Sequence, residues 1–267
     1  MVLSMDRWVG KVAIVTGASS GIGAAIAEQL VEHGLQVVGL ARRKERIEQL
    51  AEKLIGEKGK LFAIKTDISK EEDILNAFKW VKENLGPVHI LVNNAGIGVP
   101  KNLTDGDTED WKKLFQVNVM GPCIATREAV RDMRANNVDG HIIHINSIAG
   151  NQILNIPNLN VYSASKFALR ALAETLRLEL NNLKLKIKIT NLSPGAVNTE
   201  IIPQEMRESE VFKKLIEEKQ FMEGADIADS VIYVLSTPPH VQVKFLNICI
   251  LINLIFITKN VAFYKNF

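Results

Sequence analysis

The fold this sequence predicts is a single-domain α/β structure, a doubly wound parallel sheet of the Rossmann type with helices on both faces. Three observations predict it. Short apolar runs alternate with amphipathic stretches along most of the 267 residues, as repeated strand–helix units do. The runs are almost continuously Val, Ile and Leu, the composition of strands covered on both faces. The first run opens directly into a glycine-rich turn and a helical period.

Taken in order, the strands fall at Val12–Thr16, Gln36–Ala41, Leu61–Thr66, Val88–Asn93, His141–Asn146 and Ile187–Leu192, each followed by small or polar residues. Between them, helical periods run over Ile22–His33, Glu45–Ile55, Glu71–Asn84, Thr108–Asn136, Tyr162–Asn182 and Ala225–Ser236. Those lengths suit right-handed crossovers between parallel strands. The chain is long enough for one sizeable core and short for two domains.

Composition narrows the function classes. Lys and Arg number 32 against 30 Asp and Glu, so no bulk field favours nucleic acid or an acidic membrane. Cys123 and Cys249 stand in no CxxC or Cys/His cluster, which excludes a zinc framework and points to a reducing compartment. Met1–Gly10 carries Asp6 and Arg7 and builds no apolar core of a secretory signal, so the cytoplasm is expected. No stretch reaches the roughly 20 apolar residues of a spanning helix.

The turn after the first strand reads Thr16-Gly17-Ala18-Ser19-Ser20-Gly21-Ile22-Gly23. At the start of a helix, its backbone N–H groups can meet a diphosphate. Gly17 allows the tight turn, Gly21 lets the ligand approach the main chain, and Gly23 clears the helix–strand contact. An NAD-preferring site places an acidic residue at the end of the second strand, about 20 residues past the glycines. Here that strand ends Ala41-Arg42-Arg43. Two guanidiniums there suit a 2′-phosphate, which predicts NADP, with Arg42 the stronger candidate.

Ser147 follows the fifth strand, and Tyr162 and Lys166 lie four apart in Tyr162-Ser163-Ala164-Ser165-Lys166. On a helix they share one face, which puts the ammonium beside the phenol. A nearby cation would depress the tyrosine pKa toward that of a general base for an alcohol, with Ser147 hydrogen-bonding the substrate oxygen.

Through Thr16–Gly23, Asn93-Asn94-Ala95-Gly96, Asn118, Ser147, Tyr162/Lys166 and Ser193-Pro194-Gly195, the chain resembles the short-chain dehydrogenase/reductase family over roughly Met5 to Val243. The resemblance implies a Ser–Tyr–Lys triad extended by Asn118, whose helix backbone holds a water in the proton relay, and a second role for Lys166 on the nicotinamide ribose. It also implies that Asp67, with Ile68 beside it, contacts the adenine ring. Asn94 would lie along the adenosine ribose, and Val197 and Thr199 would hold the carboxamide and diphosphate.

Met5-Asp6-Arg7-Trp8, Ala41-Arg42-Arg43, Asp139–Ile143 and Val231–Pro238 look like the branch containing farnesol dehydrogenases and NADP-dependent keto-steroid reductases. That branch implies a small lipophilic alcohol or carbonyl as substrate, with a farnesol-like isoprenoid alcohol favoured over a keto-steroid or dicarbonyl. Residues Ile148–Val161 and Ile201–Met222 would supply an apolar wall and a mobile lid. Two other classes compete. A catalytically silent dinucleotide binder is disfavoured by the complete Ser/Tyr/Lys set, and a sugar-nucleotide epimerase by the short chain.

The domain is expected to span residues 5–243. Residues 244–267 form an atypical apolar tail without an acidic residue. Its run Phe245–Ile257 would be about 20 Å long as a helix, too short to cross a bilayer. Three readings suit it: a replacement seventh strand, a membrane-surface anchor, and a C-terminus altered by splicing or gene-prediction error, the last favoured. The homodimer or homotetramer that the family implies depends on this edge of the sheet.

Overall fold

A computed structural model describes residues 3–156, 158, 159 and 161–251. Its sheet has the order β3-β2-β1-β4-β5-β6-β7, every neighbouring pair parallel. The strands are β1 (Val12–Thr16), β2 (Gln36–Ala41), β3 (Lys60–Lys65), β4 (Val88–Asn93), β5 (His141–Ile145), β6 (Lys188–Pro194) and β7 (Phe245–Ile248). The helices are α1 (Gly21–Glu32), α2 (Lys44–Lys53), α3 (Glu71–Asn84), α4 (Thr108–Phe115), α5 (Gly121–Ala135), α6 (Tyr162–Asn182), α7 (Gln204–Glu208), α8 (Glu210–Glu217) and α9 (Gly224–Ser236).

Strand side chains alternate faces with period two, and here both faces are apolar. Ala13 and Val15 of β1 enter one core with Ile26 and Leu30 of α1 and Val231 of α9. Val12 and Ile14 enter the other with Phe78 of α3 and Ala129 of α5. All five β1 side chains, Thr16 included, are buried. A fully buried aliphatic side chain is worth about 1.5–3 kcal/mol, which makes these central strands the most secure part of the fold.

Three departures from the periodicity matter. The long helical period 108–136 is interrupted by a π-helical turn at Gln116–Met120, where Gly121 N–H reaches back to the carbonyl of Gln116. Pro122 follows four residues after Asn118 and has no N–H to give that residue's carbonyl, so a regular α-helix cannot run through. Residues 201–222, expected as a lid, carry the short helices α7 and α8. The base of this excursion is closed by Asn198 N–H to Met222 O at 2.8 Å and Met222 N–H to Ala196 O at 3.0 Å.

The third departure is β7. The start of the apolar tail does pair as a strand, with Asn191 opposite Phe245 and Pro194 opposite Ile248. The approach to it is held by β6 side chains. Lys188 Nζ donates to Pro238 O at 2.9 Å and Val241 O at 2.7 Å, and also to Thr237 O and Oγ1. Thr190 Oγ1 donates to Val243 O at 2.6 Å. Residues 252–267, the rest of the tail, lie outside the described residues, as do 157 and 160 within the expected apolar wall. Among the described residues no helix is long and apolar enough to cross a membrane.

Candidate active site

The strand order reverses between β1 and β4, and a crevice at the carboxyl ends of the strands is the expected ligand site of such a sheet. The structure has one there, a cavity of about 610 Å³. Its floor is the glycine turn. Gly17 and Gly21 have φ of +70° and +54°, backbone that side-chain-bearing residues rarely adopt. A Cβ on Gly17 would lie 2.9 Å from Ala95 Cα, and one on Gly21 would lie 3.0 Å from Thr199 Cγ2.

Ser20 is the N-cap of α1 and its side chain makes no capping hydrogen bond. The first-turn N–H groups are thus left for an anion. Ser19, Ser20, Gly21 and Ile22 line the crevice, together with Val197 and Thr199 from the loop after β6. Ala18 and Gly23 do not. Ala18 is fully buried, and a Cβ on Gly23 would meet Gly17 O at 2.3 Å. Both shape the turn from below. A cradle that a single Cβ would fill, at the start of a helix, fits a dinucleotide's diphosphate.

Arg42 and Arg43 both line the crevice but in different states. Arg42 is exposed and makes no hydrogen bond or ion pair to any described residue. Arg43 donates to Ser20 Oγ at 3.1 Å and to Ser19 Oγ at 3.4 Å, and pairs with Glu200 at 2.6 Å. Asp67 and Ile68 lie on the adjoining wall. Burial would raise the Asp67 carboxyl, but hydrogen bonds from the Ser69 hydroxyl and N–H, with the charges of Arg42 and Lys70, outweigh it and hold the pKa below the ordinary value.

Asn94 lines the crevice, yet its amide is committed to Thr16 O at 2.9 Å and Gly17 O at 3.3 Å. It therefore fastens β4 to the phosphate turn. Thr16 completes that joint, its hydroxyl accepting from the N–H groups of Asn94 and Ala95 at 3.0 Å each.

Ser147, Tyr162 and Lys166 share the far end of the crevice. Ser147 caps a short 3₁₀ turn, accepting from Ala149 N–H at 3.1 Å, and hydrogen-bonds the Tyr162 phenol. Tyr162 opens α6 and Lys166 follows one turn on, its Nζ 5.7 Å from the Tyr162 ring centroid. Lys166 Nζ donates to Ile145 O at 3.1 Å. Asn118 lies just behind the wall at the π-helical turn. Its side chain is paired both ways with the backbone of Ile97 and donates to Ser165 Oγ at 3.2 Å. A Cβ on Gly96 would lie 3.5 Å from Asn118 Oδ1 and 3.8 Å from Lys166 Nζ, so these groups meet at one glycine.

The electrostatics correct one expectation. Lys166 was expected to depress Tyr162, but burial pushes the phenol up to about 12, against the lowering effect of the Ser147 hydrogen bond. Burial also brings Lys166 down to about 8. The cause is geometric: the ammonium is bonded to the β5 carbonyl, and dry surroundings penalise both charged forms.

Sequence reasoning missed Thr16, Glu200 and Arg46. Glu200 accepts from Arg43 at 2.6 Å and Arg46 at 2.7 Å. Burial opposes its ionisation, but the two guanidiniums hold it at about 2. The only local signal was its place directly after Thr199.

Known proteins resemble this chain over most of its length. The family model described as short chain dehydrogenase matches residues 11–210. A farnesol dehydrogenase of Aedes aegypti is 48% identical over 246 residues, 91% of this chain and 97% of the relative. Dehydrogenase/reductase SDR family member 11 of Homo sapiens is 44% identical over 243 residues, 90% and 94% of the two chains. The solved structure of an alcohol dehydrogenase from Thermococcus sibiricus, complexed with 5-hydroxy-NADP, matches with a TM-score of 0.77 at 29% identity, covering 89% of this chain and 95% of that one.

Proposed function

The chain belongs to the short-chain dehydrogenase/reductase family and is an oxidoreductase, and from that premise we propose that it uses NADP(H) to interconvert a small lipophilic alcohol and its carbonyl, with a farnesol-like isoprenoid alcohol favoured. The single observation that carries this reading is the crevice itself. It joins an anion cradle and an uncommitted Arg42 at one end to Ser147, Tyr162 and Lys166 at the other.

In this reading the turn Gly17–Gly23 and Thr199 hold the diphosphate, Arg42 takes the 2′-phosphate, Asp67 and Ile68 flank the adenine, and Asn94 braces the ribose side. The bound nicotinamide supplies or accepts the hydride. Ser147 donates a hydrogen bond to the substrate oxygen. Tyr162, protonated at neutral pH with a pKa of about 12, gives its proton to that oxygen in reduction and takes it back in oxidation. Lys166 has one described hydrogen bond, which leaves N–H groups for the nicotinamide ribose. Asn118, in the π-helical turn, places its backbone for a relay water.

Ile97, Val99 and Ile201 give the crevice that holds Tyr162 part of an apolar lining. Ile201 also faces the 94–99 loop, 3.8 Å from where a Cβ on Gly98 would sit. That lining suits an isoprenoid chain or a keto-steroid better than a sugar. The aedine relative's name motivates the first of these.

The test is NADPH absorbance with purified protein, farnesol with NADP, and keto-steroids and dicarbonyls with NADPH, NAD(H) in parallel. Turnover with NADP(H) and a loss of about 10²–10⁴-fold in Tyr162→Phe is expected. A Tyr162→Phe protein of full activity would overturn the assignment of the proton donor.

A further inference from the structure

Glu200 lies in none of the roles above, yet it is tied to the elements that surround the proposed 2′-phosphate position. Its two carboxylate oxygens take different guanidiniums, Oε2 from Arg43 and Oε1 from Arg46, and Ser20 adds a hydrogen bond. It follows Thr199, whose methyl packs over Gly21, so the pairing ties the loop after β6 to the start of α2 and to the phosphate turn. Arg43 in turn spans from Glu200 to the hydroxyls of Ser19 and Ser20.

We propose that Glu200 is a specificity-determining residue, an internal carboxylate that occupies Arg43 in place of the cofactor's 2′-phosphate and so sets how tightly NADP(H) is held. The inference rests on the NADP reading above. The side chains of Arg43, Arg46 and Glu200 are each about a third or more exposed, and ion pairs of that exposure are weak and exchangeable. A phosphate dianion is the stronger partner for a guanidinium, since it offers more charge and bidentate oxygens. On binding it takes Arg43, while Glu200 keeps Arg46 and the loop remains tethered. A cofactor without the 2′-phosphate leaves both pairs intact. The carboxylate therefore lowers affinity for NADP(H) alone, and does so through Arg43.

The experiment is fluorescence titration of the full chain with NADPH and with NADH, for wild type, Glu200→Gln, Arg43→Ala and the double variant, with Arg42→Ala as a separate arm. Glu200→Gln should tighten NADPH by about three- to fivefold and leave NADH unchanged. In the Arg43→Ala background the same substitution should give no gain, because the competitor's target is gone. Unchanged or weaker NADPH binding in Glu200→Gln would overturn the proposal. So would a gain that persists without Arg43, since a general charge effect needs no shared partner. Failure of the underlying reading has a different signature: wild type binds NADH as tightly as NADPH, and Arg42→Ala weakens both equally.

Discussion

Two buried lysines, one at each end of the parallel strands, make the most instructive comparison in this molecule. Lys166 stands at the carboxyl ends, in the crevice, 4% exposed. Lys188 starts β6 at the amino ends, 8% exposed. Burial lowers each to about 8, with the charge of Arg7 adding to the effect on Lys188. By charge and surface exposure alone they are alike. Their partners differ. Lys188 donates to four oxygens of residues 237–241, whereas Lys166 has one described acceptor, the carbonyl of Ile145. An ammonium has three N–H donors. Lys188 spends them all on its own chain, and Lys166 keeps donors in hand for a ligand. A satisfied buried cation holds structure together; an under-satisfied one facing a cavity is available for chemistry.

Substituting each by Met should separate the two, with the largest effect at the crevice. Lys166→Met is expected to lower kcat by about 10²-fold or more without lowering the melting temperature. A variant that unfolds, or one that turns over normally, would erase the distinction drawn between the lysines. Lys188→Met should do the reverse. It strands several carbonyls that now receive charged hydrogen bonds, a loss of about 2–3 kcal/mol, read as a drop of roughly 5–10 °C in Tm. Its turnover per folded molecule should stay within about twofold of wild type, and a large fall in kcat there would make Lys188 part of the site.

The smallest effect is a pH dependence. Lys166 has a folded pKa of about 8 against an ordinary 10.5, so the folded chain holds this proton less tightly than the unfolded chain. The cost of burying the charge is complete below pH 8 and is relieved as pH rises toward 10.5. The stability advantage of Lys166→Met should therefore narrow over that window. NADPH affinity should weaken severalfold across the same rise in wild type and stay flat in Lys166→Met. Titrations at stepped pH check both slopes.

Much of this was legible in local sequence. Near-continuous apolar runs marked six strands, three of them to the residue, because a strand buried on both faces needs little but Val, Ile and Leu. α3 and α6 begin and end where their periodicity does. The phosphate turn was readable because Gly17 and Gly21 occupy backbone that other residues resist. The π-helical turn at Asn118 was less legible, although Pro122 four residues on was a usable sign. The strand β7 was obscured by a run whose apolar density suits strand, helix or membrane surface equally.

By itself, then, the sequence determined the doubly wound sheet, the anion-binding turn and the Ser147/Tyr162/Lys166 set, since each depends on spacing along one short segment. Tertiary structure alone decided what those groups face. The raised Tyr162, the bonding of Lys166 to Ile145 rather than to the phenol, the clasp at Lys188 and the Arg43–Glu200–Arg46 pairing each join residues distant in the chain. Burial and partner geometry set the charge and availability of a side chain, and neither is written in the residues beside it.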